Sequence, residues 1–231
     1  MRAISSMATR HVLADLLAAS EAAGLPSVEL ESVGGVDAAS RVAAGEPFDL
    51  VFLGDDALRR LADDGHVDAA SLTPLVLSQV AVAVPAEDSV GSPPEAAAFP
   101  DAEGVRGALR DASRIGYSTG PSGTALVRMI DGWGMAGELD GRLVQARPGI
   151  PVATLLADGE IDLGFQQVSE LVGQPGIRIL GVLPADCAID TVFSGAIATA
   201  SADQEDARRV LAFMASDATV GIRTGHSFGT P

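Results

Sequence analysis

The sequence predicts an α/β protein built as two lobes. Strand-like and helix-like segments alternate from Arg2 to Val84, a second alternating run follows from Pro85 to Ile189, and no long linker separates them. The predicted partition is 1–84 for the first lobe, 85–189 for the second, and 190–231 as a return segment to the first. The crossovers fall near Val84-Pro85 and between Pro184 and Asp190.

The elements follow from periodicity and punctuation. Arg2–Ser5 is a short strand, and Val12, Leu13, Leu16 and Leu17 mark a helix over Thr9–Ala23 that Gly24-Leu25-Pro26 stops. Val28–Val33 alternates as a strand and breaks at Gly34-Gly35. A short helix over Asp37–Ala44, an apolar strand over Phe48–Leu53 and a helix over Ala57–Asp64 follow. Ser78–Val84 is a β-branched strand, and residues 86–100, rich in Pro, Ala, Ser and acids, read as a surface connection. The second run takes a helix over Ala102–Ala112, a strand over Arg114–Tyr117 and a helix over Thr124–Trp133. Gly149-Ile150-Pro151 opens a helix through Ala157. Next come a strand over Ile161–Phe165 and a helix from Gln166 through Leu171. Strands over Ile177–Leu183 and Thr191–Ala200 and a helix over Gln204–Ala215 close the series.

Aromatics are only 4% of the chain, so the core must be built from Ala, Val, Leu and Ile. The net charge of −16 repels nucleic acid and anionic membranes. It also means that an anion site must work by local geometry. The single Cys187 excludes an internal disulfide and a four-cysteine zinc site. His11, His66 and His226 have no metal-ligand spacing, so neither metal nor cofactor is expected. No apolar stretch of about 20 residues is present, and the first residues show no leader, so the chain as given reads as cytoplasmic, or as periplasmic or extracellular if a leader was removed.

One physical device recurs. Strand ends run into small polar residues and then a helix at Ser5-Ser6-Met7-Ala8-Thr9, Gly34-Gly35-Val36-Asp37, Gly54-Asp55-Asp56, Ser118–Gly123 and Gln166-Gln167-Val168-Ser169. A helix N-terminus offers unpaired N–H groups and about half a positive charge, so several together hold an oxyanion without lysine or arginine. Each turn alone is an ordinary helix cap. The Ser118-Thr119-Gly120-Pro121-Ser122-Gly123 loop exceeds what a cap requires and suits a backbone that closely approaches a ligand.

The stretches GYSTGPSG, LLADGEIDLGFQQVSEL and VLPADCAIDTVFSGAIA resemble the molybdate-binding-protein-like branch of bacterial solute-binding proteins. So do ISSMATR and ESVGGVDAASRVAAGEPFDLVFLGDDAL, in that order along nearly the whole chain. The resemblance implies a type II periplasmic-binding-protein fold, with a ligand cleft between two lobes. It implies a monomer that captures a small anionic ligand for an ABC permease. The implied ligand-binding residues are Ser5, Ser6, Met7, Gly35, Val36, Ser118, Thr119, Gly120, Ser122, Gly123, Gln166 and Gln167.

Two positions depart from the tetraoxyanion pattern: Val36 stands where a serine is usual, and Gln167 where a tyrosine is usual. GFQQVSEL and TVFSGAIA look as close to a related branch that includes an isomerase of aconitate. For such an enzyme Asp37 and Glu170 are the candidate bases, and Arg10 and Arg147 the candidate partners of carboxylates. Two functions therefore stand side by side, a non-catalytic binder of a small oxyanion or carboxylate and an isomerase of a small tricarboxylate.

Overall fold

In the computed structural model, which describes residues 1–147 and 150–231, the chain alternates strands and helices throughout. In order these are β1 (Arg2–Ser6), α1 (Arg10–Ala22), β2 (Glu29–Val33), α2 (Gly35–Ala43), β3 (Leu50–Gly54), α3 (Asp55–Asp63) and β4 (Thr73–Val90). Then follow α4 (Ala102–Asp111), β5 (Ile115–Tyr117), α5 (Pro121–Gly132), β6 (Leu143–Gln145), α6 (Val152–Ala157), β7 (Leu163–Gln167) and α7 (Val168–Leu171). The last are β8 (Pro175–Val182), β9 (Asp190–Ile197), α8 (Gln204–Ala215) and α9 (Val220–Gly225). Gly149, expected to help open a helix, lies outside the described residues.

The chain divides into two units, Met1–Leu77 with Thr191–Pro231, and Ser78–Asp190. The first change of unit falls at Leu77-Ser78, earlier in β4 than the Val84-Pro85 position expected from the sequence.

In unit 1 the strands lie in the order β2-β1-β3-β9. The first three are parallel and β9 runs antiparallel to β3. Apolar side chains cover both faces. Val12, Leu13 and Leu16 of α1 pack with Val210, Leu211 and Met214 of α8 over Leu50 and Phe52. On the other face Ala38 and Val42 of α2 pack with Leu58 and Leu61 of α3 over Ile4, Val51 and Leu53. Alternate residues of β3 therefore feed opposite cores, as the two-residue strand period demands.

Unit 2 repeats the plan. Its order is β4-β7-β5-β6, with β5, β6 and β7 parallel, β4 antiparallel to β7, and β8 also paired with β4. Val80 and Val82 face Val105, Leu109, Leu126 and Ile130 of α4 and α5. Ala81 and Ala83 face Val152, Leu155 and Leu156 of α6. The predicted α/β class with two lobes is thus present.

Several boundaries differ from the sequence reading. Helix α2 begins at Gly35, not Asp37, and α5 at Pro121, not Thr124, where proline suits the first helical turn. Residues 86–90, expected as connection, continue β4. Pro85 pairs with Ile177 and Val90 with Pro175 across an irregular register. Strand β6 and helix α9 were not predicted, since three residues show no period and Val220–Gly225 begins and ends beside glycine.

The C-terminus of α4 is closed by a side chain from just before β6. Arg142 Nη2 donates to the carbonyls of Leu109 (2.6 Å), Arg110 (2.8 Å) and Ala112. A cation at this end also complements the helix dipole. Arg142→Ala would orphan these acceptors and is expected to destabilise the protein by about 1–3 kcal/mol, read from urea unfolding.

Candidate functional site

In unit 1 the parallel register brings three strand ends together. Ser5 lies opposite Ser32 and Phe52, and Ser6 opposite Val33. The loops that leave β1 and β2 are therefore neighbours, and a β-carbon on Gly35 would stand 3.6 Å from that of Ser6.

The two serines differ. The Ser5 hydroxyl is occupied, 2.8 Å from Ser32 Oγ and donating to the Ser6 carbonyl at 3.2 Å. The Ser6 residue is only 7% exposed, and its hydroxyl has no hydrogen-bond partner. Thr9, a short turn later, also buries an unpartnered hydroxyl. Beside them, α2 starts from Gly34 with no side-chain cap. Its first helical bond runs from Ala38 N–H to the Gly34 carbonyl, which leaves the amides of Gly35, Val36 and Asp37 without an intrahelical acceptor. Met7, Val36 and Asp37 are exposed. At the end of β3, Asp55 accepts from Ser194 Oγ at 2.7 Å and from Arg59 Nε at 2.5 Å, so its charge is already engaged.

Unit 2 has its own set. Tyr117 pairs with Phe165 and with Gln145, so the loops after β5, β6 and β7 are adjacent. Ser118 Oγ lies 2.9 Å from Ser122 Oγ across the turn into α5. Gly123 holds this turn closed. A β-carbon there would meet the Ser118 carbonyl oxygen at 1.8 Å, so no other residue fits. Gly120 caps α5 without a side chain, and Thr119 is exposed.

Gln166 and Gln167 end β7, both buried. Gln166 Oε1 accepts from the Val152 amide at 2.8 Å, capping α6, which fixes the amide orientation. Its Nε2 then faces Glu170 Oε2 at 2.5 Å. Glu170 as a residue is exposed, but its carboxyl end is crowded. That desolvation pushes its pKa above the ordinary value, and the Gln166 donation partly opposes it. Arg147 stands exposed just past β6 and makes no ion pair among the described residues. Arg10 is also exposed and donates to His11 Nε2 at 3.0 Å, which leaves the rest of its guanidinium open.

Each unit thus gathers its predicted residues at the carboxyl ends of its parallel strands: Ser5, Ser6, Met7, Gly35 and Val36 in one, Ser118–Gly123, Gln166 and Gln167 in the other. The sequence reading named Thr9 in the first turn but not among the ligand-binding residues, and it gave no site role to Ser32 or Val152. Ser32 was legible only through the register of β1 on β2, and Val152 only through the long-range bond to Gln166.

Parallel α/β units with open helix N-termini at their strand ends form the architecture of two-lobed solute-binding proteins. The chain belongs to the family of bacterial extracellular solute-binding proteins, whose model matches residues 1–228. It is 36% identical over 180 residues, 77% of its own length, to an aconitate isomerase of a Pseudomonas species, of which the match spans 65%. Among solved structures it superposes on one described as the substrate-binding domain of a proposed molybdenum ABC transporter from Clostridium difficile. There the TM-score is 0.82 at 14% identity, over 100% of this chain and 98% of that one. It also superposes on the periplasmic molybdate-binding protein of Azotobacter vinelandii, with a TM-score of 0.70 at 18% identity, over 100% and 99% of the two chains. At such identities the two structures establish the fold.

The raised pKa of Glu170 has a signed consequence. Below the ordinary glutamate value of 4.5 both folded and unfolded chains are protonated and no penalty exists. As pH rises through the folded pKa, ionisation favours the unfolded chain and stability is lost. Glu170→Gln is therefore expected to raise the melting temperature relative to the parent at about pH 7 and to leave it unchanged at about pH 4, measured by thermal unfolding across that range.

Proposed function

We propose that the protein is the solute-capturing component of a transport system, working outside the cytoplasmic membrane and holding a small anion with uncharged donors. The observation that carries this reading is the buried, unpartnered Ser6 hydroxyl beside the uncapped amides of Gly35 and Val36. A buried hydroxyl without a partner costs free energy unless a ligand satisfies it. Helix-end amides supply the complementary positive potential, which a surface of net charge −16 does not. The second unit presents donors of the same uncharged kind at its own strand ends, in the Ser118–Gly123 turn and Gln167, and a permease is the expected partner for a family member that captures solute. No helix among the described residues is long and apolar enough to cross a membrane itself.

Ser6→Ala tests this directly. Binding of the tightest anion in a panel of molybdate, tungstate, sulfate, citrate and the aconitates should weaken about tenfold by calorimetry, while the melting temperature of the ligand-free protein stays level or rises. Unchanged affinity would remove the first loop from the site.

A second reading, isomerisation of a small tricarboxylate, is favoured by the identity to an aconitate isomerase and by Glu170. Moving a double bond takes a proton from one carbon and returns one to another. A carboxylate whose pKa is raised is a better base for that step. Arg147 provides an exposed cation for a carboxylate in the same unit. Turnover between aconitate isomers, abolished in Glu170→Gln or Asp37→Asn with binding retained, would establish this reading. Tight binding with no turnover by the parent protein would exclude it.

A further inference from the structure

We infer that Met7 and Val36 select an organic anion, one that carries a hydrocarbon body behind its charged end, over an inorganic oxyanion. The inference rests on the anion-binding reading above and specifies its ligand class.

Four large hydrophobic side chains are exposed among the described residues: Met7, Val36, Val90 and Ile150. Three of them follow the carboxyl ends of parallel strands, Met7 just after β1, Val36 in the first turn of α2 after β2, and Ile150 after β6. Val36 is 85% exposed and Met7 44%. Exposed apolar residues scattered singly need no explanation, but these two immediately follow the two groups that mark the site. Met7 adjoins the buried, unpartnered Ser6 hydroxyl, and Val36 adjoins Gly35, which packs 3.6 Å from Ser6 by the β-carbon measure.

The choice of valine in the first turn of α2 is informative. A β-branched apolar residue neither caps the helix nor favours it, and a serine there would add a donor for an anion. A tetrahedral oxyanion presents oxygen on every side and gains nothing from methyl groups. A carboxylate ligand presents oxygens at one end and carbon next to it. The uncapped amides and the Ser6 hydroxyl meet the first, while the Val36 methyls and the adaptable Met7 thioether cover the second.

The test uses the full chain in calorimetric titrations with two sets of probes, molybdate and sulfate against cis-aconitate, citrate and tricarballylate. At least one carboxylate is expected to bind about tenfold or more tightly than either inorganic anion. Val36→Ser and Met7→Ser together should narrow that preference about tenfold, with little change in melting temperature because Val36 is outside any core. The inference is overturned if an inorganic anion binds the parent protein as tightly as every carboxylate. It also fails if the double variant keeps the parent's preference. If neither set binds the folded protein, the anion-binding reading itself falls, and this inference with it.

Discussion

Everything at the candidate site depends on in-register parallel pairing at the strand ends. Because Ser6 stands opposite Val33, the turn out of β1 and the turn out of β2 are held side by side. A slip of one residue would send Ile4 from the α2–α3 core to the opposite face and move Ser6 with it. The apolar faces on both sides of the sheet therefore fix the position of the polar atoms at the strand end. The same holds in unit 2, where Tyr117 opposite Phe165 sets Ser118 beside Gln166.

The electrostatics are local. Seven arginines pair with acids among the described residues, as where Arg41 forks between Glu31 and Glu46, holding both carboxyls below their usual range. Buried Arg223, 2% exposed, is held by the carbonyls of Leu75 and Ser216 and faces the interior of unit 1. The uncommitted groups beside Ser6 include peptide N–H and hydroxyl, whose strength depends on geometry and on exclusion of water.

Most of the alternation of elements and several of the stops between them were legible in the sequence, because strand runs such as Val80–Val84 and stops such as Gly45 and Gly65 are local signals. Gly45 and Gly65 do adopt positive φ at 80° and 79°. What could not be read was anything set by partners distant in the chain. The continuation of β4 to Val90 is dictated by β8, and the fixed orientation of Gln166 by Val152. Ser5 and Ser6 look alike in sequence, and only their neighbours decide that one hydroxyl is occupied and the other is not.

The interrupted course of unit 1 has a consequence for how the protein is made. Unit 2 is one continuous stretch, Ser78–Asp190, and its whole core is available once the ribosome has passed it. Unit 1 must wait, for β3 has no β9 alongside and α1 has no α8 until Thr191 onward emerges. During translation the half-built first unit therefore carries an open sheet edge at β3 and an uncovered apolar face, while the later-made unit is already able to settle. Nascent-chain quality control would meet its hazard in the segment synthesised first.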